Sequence, residues 1–226
     1  MAQSIAALYE ARTEAYEFDW DDAQAEVARS LDDLATRLAE WRVPQRGLWR
    51  MFARRGGGVA PRGLYIHGQV GRGKTMLMDM FFEHVDFAPK RRLHFHEFMG
   101  EVHDRIAAAR KTVQGDPIPT VAAAIVRESR LLCFDELHVT DIADAMILGR
   151  LFDAMFADGI VVVATSNAMP GELYKNGLNR SLFVPFISTI EKRMIVVELD
   201  SDEDYRLQKL AGRPLYFTPV DEAARA

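Results

Sequence analysis

The sequence predicts an α/β fold: a mostly parallel sheet covered by helices on both faces, with a helical extension in front of it. Two observations carry this. Short, near-continuous apolar runs alternate with segments of helical period, the pattern of strands buried on both faces. One of those runs ends in a glycine-rich turn that opens a helix, as in the crevice where such sheets hold ligands.

Along the chain, residues 1–42 read as helical, with Leu31, Leu34 and Leu38 on one side and Asp32, Asp33, Arg37 and Glu40 elsewhere. Residues 43–62 change character. Pro44, Gly47, Gly56-Gly57-Gly58 and Pro61 are interspersed with Arg46, Arg50, Arg54, Arg55 and Arg62, and Arg42 precedes them. This is a basic connector, either a solvated linker or an arm for a polyanion. Leu64-Tyr65-Ile66 is the first strand, and Met76–Glu83 the helix after its glycine turn. Arg92–Phe98 is predicted as a second strand leading to a helix that runs to about Lys111. Leu131–Phe134 is a buried strand. A helix over 142–157 follows, with Ala143, Met146, Ile147, Leu151 and Phe152 on one stripe. Ile160–Ala164 and Met194–Leu199 complete the strands. The division is thus 1–62 for helices and connector, 63–200 for the core, and 201–226 for a C-terminal tail.

Composition narrows the function. The chain has 226 residues, 49% apolar and 27% charged, enough for one folded domain with a small appendage. A net charge of −5 argues against a protein that coats nucleic acid by bulk charge. One cysteine, Cys133, allows no internal disulfide and suits a reducing compartment. No apolar run reaches the ~18 residues of a membrane span. The start lacks a signal-peptide pattern and is too acidic for a mitochondrial presequence. A cytoplasmic protein is expected.

The chemistry is concentrated in Gly68-Gln69-Val70-Gly71-Arg72-Gly73-Lys74-Thr75, followed by Met76. It fits the phosphate-loop pattern G-x-x-x-x-G-K-[ST] between a strand and a helix. The glycines let backbone N–H groups turn inward on phosphate oxygens, at the positive end of the helix dipole. Lys74 reaches the β- and γ-phosphates and Thr75 offers a hydroxyl to Mg²⁺. A glycine turn with an incidental lysine is the alternative. Next, Asp135 and Glu136 close a buried strand and face the same crevice. Asp135 suits Mg²⁺ held through water, and Glu136 suits a general base for the attacking water. Acids capping a helix start are the bland alternative. Third, Ile160–Ala164 ends in Thr165-Ser166-Asn167, where the Asn167 amide can bond a γ-phosphate and orient water. A turn-forming Asn ahead of Pro170 competes with that reading.

These motifs, with Arg92-Leu93-His94-Phe95-His96-Glu97-Phe98-Met99, Leu132–Leu148, Glu172–Leu178 and Asp204-Tyr205-Arg206, resemble the AFG-type P-loop ATPases over about Tyr9 to Pro219. The resemblance implies a three-layer, AAA+-like (ASCE) P-loop NTPase core, ATP with Mg²⁺, and assembly into a homo-oligomer with nucleotide bound. It implies Gly68–Thr75 as Walker A, Asp135 and Glu136 as Walker B, and Asn167 as sensor 1. It makes Arg180 the arginine-finger candidate, with Arg193 competing and a plain surface arginine the alternative. It also implies an ATP-dependent regulator of the FtsZ division ring, cytoplasmic or peripheral at the inner membrane.

The family continues into a C-terminal lid, whereas this chain stops at Ala226. A lid that is absent removes the sensor-2 arginine, so weak hydrolysis and weak oligomerisation are expected of such a chain. The competing functions are a nucleotide-gated binding switch and, behind it, a nucleic-acid loader supported only by the basic segment 42–62.

Three further signals are assigned to structure. His94 and His96 on one strand face, with His103, do not complete a metal motif. Phe81, Phe82, Phe87, Phe95 and Phe98 are core. Gln24 is either a reader of the adenine edge or, more simply, a solvent-facing glutamine.

Overall fold

The computed structural model describes residues 4–42 and 59–199. The basic segment 43–58 and the tail 201–226 lie outside the described residues.

Helices α1 (Ile5–Glu14) and α2 (Asp22–Glu40) form the N-terminal layer. Asp21 starts α2 by accepting the Gln24 N–H at 3.0 Å. Leu31, Leu34 and Leu38 are buried, as their spacing predicts. Asp32, on the other side of α2, accepts from Ser4 Oγ at 2.6 Å and from the N–H groups of Ile5 and Ala6, so α2 itself caps α1.

Five strands follow: β1 (Gly63–His67), β2 (Lys90–His94), β3 (Leu131–Asp135), β4 (Val161–Ser166) and β5 (Met194–Glu198). They form one sheet in the order β2-β3-β4-β1-β5, every pair parallel. The continuous apolar runs are explained by alternation between two cores. Tyr65, Leu132, Phe134, Val162 and Ala164 point to a core beneath α4 (Phe95–Ala109), α5 (Ile118–Glu128), α6 (Ile142–Ala157) and α7 (Val184–Arg193). Leu64, Ile66, Leu131, Cys133, Val161 and Val163 point to a second core against α1, α2 and α3 (Lys74–His84). This is the three-layer α/β architecture expected.

Several expectations need correction. The second strand is not Arg92–Phe98: it spans Lys90–His94, and Phe95 opens α4. Phe95, Phe98, Met99, Val102 and Ile106 recur at three and four residues and bury a helical face, which overrides the strand-like start. His94 and His96 therefore do not share a strand face. The buried stripe of α6 runs through Ala145, Leu148, Leu151, Phe152, Met155 and Phe156, leaving Ala143 exposed. The five phenylalanines divide between the cores: Phe95 and Phe98 lie on one face of the sheet, and Phe81, Phe82 and Phe87 on the other. Helices α5 and α7 were not anticipated, although Ile118, Val121, Ala122, Ile125 and Val126 give α5 a clear period.

Strand β2 is an edge and reads unlike the others: Lys90-Arg91-Arg92-Leu93-His94 is half-buried and polar, a usual defence of an edge against pairing with another chain. One of its arginines matters for the site.

Candidate nucleotide-binding site

The carboxyl ends of β1, β3 and β4 meet at a cavity of about 190 Å³ lined by residues 70–75, Glu136 and residues 165–167. The sheet order explains why sequence-distant motifs converge: β4 lies between β1 and β3, so its end stands between the phosphate loop and the acidic pair. The loop is tied to that strand by the Gly68 N–H, which donates to the Ser166 carbonyl at 3.3 Å.

Gly73 is the N-cap of α3, with φ of 85° and no side chain to cap it. The first N–H groups of α3 are therefore left for an anion. A Cβ at Gly73 would crowd the Gln24 amide, and one at Gly68 would collide with the Leu199 carbonyl. Lys74, largely buried, folds back to donate to the carbonyls of Gly68 and Gln69 at 2.7 and 2.6 Å. Gly68 and Gln69 serve the lysine and do not themselves line the cavity. Met76, in the first turn of α3, packs against the core and does not line the cavity either.

Asp135 is buried behind Thr75 and is the hub of the site. Its Oδ1 accepts from the hydroxyls of Thr75 at 3.0 Å and Thr165 at 2.8 Å. Its Oδ2 accepts from Arg92 Nη2 at 3.1 Å. The same nitrogen pairs with Asp79 Oδ1 at 2.7 Å, one turn along α3 from Thr75. Burial pushes the Asp79 carboxyl up, Arg92 pulls it down, and Asp135 and Glu83 push it up again. Glu136 is exposed at the cavity with φ of 55°, and its N–H donates to Thr165 Oγ1 at 3.1 Å. Asn167 stands exposed opposite, on the turn after β4.

Burial holds His67, the last residue of β1, below the ordinary histidine range. Glu198, 3.9 Å away, pulls the other way, and Lys74 adds to the lowering. A neutral His67 leaves the loop's positive charge to Arg72 and Lys74.

The oxygen donors Thr75 and Asp135 are hard ligands that fit Mg²⁺, which keeps waters and takes phosphate oxygens for the rest of its shell. Among the described residues no group of three or more His, Cys, Asp or Glu could cage a metal, and His103 is instead paired with Asp144 at 2.6 Å.

Arg180 stands apart from this cavity, on a 3-10 turn at 180–182, where its Nη2 donates to the Gly171 carbonyl at 2.6 Å. Arg193 ends α7 and lines a different hollow with Asp153 and Ser188. Gln24 is not solvent-facing: it is buried under the phosphate loop, with Nε2 donating to the Arg72 carbonyl at 3.2 Å. Thr165, Arg92 and Asp79 were not singled out from sequence. A signal existed for two of them: a hydroxyl at the end of a buried strand, and an acid one helical turn beyond Thr75.

The AFG1-like ATPase family profile matches residues 3–226. The chain belongs to the AFG1-like ATPase family. It is 47% identical over 165 residues to the cell division protein ZapE of Escherichia coli, an alignment covering 73% of this chain and 44% of ZapE. It is 48% identical over 177 residues to lactation elevated protein 1 homolog B of Danio rerio, covering 74% of this chain and 35% of that protein. This AFG1-like chain thus spans less than half the length of these curated relatives. Among solved structures, DnaI superposes with a TM-score of 0.51 at 14% identity, over 84% of this chain and 89% of that one, a likeness of fold alone. No helix among the described residues is long and apolar enough to cross a membrane.

Proposed function

We propose that this AFG1-like chain binds ATP with Mg²⁺ and hydrolyses it, and that turnover drives remodelling of the FtsZ division ring from the cytoplasm or at the inner-membrane surface. The observation that carries the chemical part is the convergence of Lys74, Thr75, Glu136 and Asn167 on one cavity, with Asp135 behind it. The division-ring part is supported by the likeness to ZapE.

In this reading the loop N–H groups and Lys74 hold the phosphates, so Lys74 leaves its two loop carbonyls when nucleotide arrives. Bound Mg²⁺, held by Thr75 and through water by Asp135, supplies charge neutralisation at the phosphates. Asn167 orients a water in line with the γ-phosphorus and Glu136 takes its proton. The water oxygen bonds to phosphorus as the Pγ–O bond to the β-phosphate breaks, giving ADP and phosphate. Arg180, which does not line its own chain's cavity, acts from a neighbouring copy on the developing charge. Nucleic acid is not a partner in this reading.

The test is Glu136→Gln beside Lys74→Ala. The first variant is expected to bind ATP at near-parent affinity and hydrolyse it at least a hundredfold more slowly (on the order of 10² to 10⁴ for a general base). Hydrolysis by Glu136→Gln at the parent rate refutes the assignment.

A further inference from the structure

The bridging arginine on the edge strand is explained by neither fold nor phosphate binding. Arg92 leaves β2 and reaches across to the acidic strand, where a single nitrogen, Nη2, serves both Asp135 and Asp79. Its Nε is buried and finds no acceptor among the described residues. An arginine required only for packing would be expected to use its planar fork, as Arg105 does with both oxygens of Glu128 at 2.7 Å. Arg92 is held at one corner instead, between two acids it can exchange.

The other half of the observation is the state of Asp135. Two hydroxyls occupy Oδ1 and the guanidinium, shared with Asp79, occupies one side of Oδ2, so the carboxylate is fixed in orientation and its charge is partly offset. A carboxylate that is to attract a dication is here already paired with a cation of the chain's own. We infer that Arg92 is a positioning residue that stands in for the metal: it partly offsets the charge of Asp135 before Mg²⁺ arrives, opposes the metal's entry, and leans on Asp79 once Mg²⁺ is bound. Arg92 and Asp79 together then set the Mg²⁺ concentration at which the site loads. This rests on the Mg²⁺-nucleotide reading above.

The sign follows from charge. A guanidinium and a dication drawn to the same carboxylate repel, and at a separation of about 5 to 6 Å with the full screening of bulk water that opposition is on the order of tenfold in affinity. Removing the arginine relieves that repulsion, while Thr75 and Thr165 still hold Oδ1. Removing Asp79 takes away the acid onto which Arg92 withdraws, so Arg92 presses on Asp135 alone. A purely structural arginine predicts otherwise for Arg92 itself: losing it would loosen the site and weaken the metal, so the direction of change in Arg92→Gln separates the two.

The experiment measures ADP affinity of the full chain by calorimetry, once in excess EDTA and once in millimolar MgCl₂. The ratio of the two affinities reports metal coupling without any turnover. Arg92→Gln is expected to raise that ratio on the order of tenfold, Asp79→Asn to lower it severalfold, and Arg92→Lys to stay close to the parent. A ratio that is unchanged or lower in Arg92→Gln, with circular dichroism matching the parent, overturns the inference. Should Arg92→Gln not fold, Arg92→Met, which keeps the aliphatic stem without the charge, takes its place with the same expected rise, and an unchanged or lower ratio there is equally fatal. A parent chain whose ADP affinity ignores Mg²⁺ removes the metal reading of Asp135 first and this inference with it.

Discussion

Thr165→Val is the substitution that most directly tests whether Asp135 is the hub of the site. The change keeps the shape of the side chain and removes one oxygen, at a residue that is 1% exposed. That oxygen makes two bonds: it donates to Asp135 Oδ1 at 2.8 Å and accepts the Glu136 N–H at 3.1 Å. A hydrogen bond to a carboxylate is worth about 1.5–3 kcal/mol, and a half-buried N–H left without its acceptor costs about 1 kcal/mol more. The sum, about 2.5–4 kcal/mol, lowers the melting temperature of a chain this size by roughly 5–16 °C. The functional effect is separate from the thermal one. Glu136 sits at a left-handed φ of 55° with its N–H steadied by that oxygen. If Glu136 is the base proposed above, freeing it lets that base drift by a fraction of an ångström to an ångström, which costs on the order of a hundredfold in rate. The assay is paired: thermal unfolding without nucleotide, and ATP turnover at a temperature where the variant is fully folded. Thr165→Ser, which keeps the hydroxyl, should recover most of the turnover while still losing about 1 kcal/mol for the buried methyl. If Thr165→Val melts with the parent and turns over at the parent rate, Asp135 and Glu136 are not held as described.

Two further outcomes follow from the site's surroundings. Gln24→Leu removes the bond to the Arg72 carbonyl and also a buried oxygen, Oε1, that has no donor among the described residues. Stability should move by less than about 1 kcal/mol, since the two effects oppose, while ATP affinity in equilibrium binding falls severalfold as the loop loses its support. Cys133 lies inside the sheet, where burial pushes its thiol from 9.0 up to about 12. It should therefore be inert to a thiol reagent at pH 8 in the folded chain and react in full once denaturant unfolds it. Rapid labelling of the native chain would mean the strand is not buried.

The parts of the fold legible in the sequence were those fixed by local pattern. The runs at Leu64–Ile66, Leu131–Phe134 and Ile160–Ala164 read as strands because each serves two cores and has no polar side to hide. The phosphate loop was legible because its chemistry is made by consecutive residues. Misreadings fell where neighbours in space decide. A local bond helps end β2 at His94, whose N–H donates to Glu97 Oε2 at 3.3 Å, and the α4 residues Phe98, Val102 and Ile106 complete it by packing under the sheet. A solvent-facing Gln24, the simpler of its two sequence readings, fails because a helix docked on the phosphate loop buries it. Arg92 lies 43 residues from Asp135 and joins it only through the register of β2 on β3.

The placement of Arg180 bears on how such a site is completed. The cavity's own positive charge comes from Arg72 and Lys74 at its loop side, while Glu136 and Asn167 face it from β3 and β4. Phosphoryl transfer spreads negative charge over three oxygens at once, and in the proposed reading the side nearest the attacking water would be furnished with an acid and an amide. A cation on that side has to come from elsewhere. Arg180 is held by the Gly171 carbonyl on a turn flanked by exposed Leu178, Leu182 and Val184. Apolar side chains at 70%, 58% and 42% exposure around one anchored guanidinium are costly to leave in water and well suited to contact with a second surface. The same features support both halves of the proposal for Arg180: the site lacks a cation where charge develops, and the chain presents one, framed by apolar residues, outside its own site. On the proposed reading, assembly of copies would supply the missing group, and turnover would then be a property of the oligomer, rising with chain concentration.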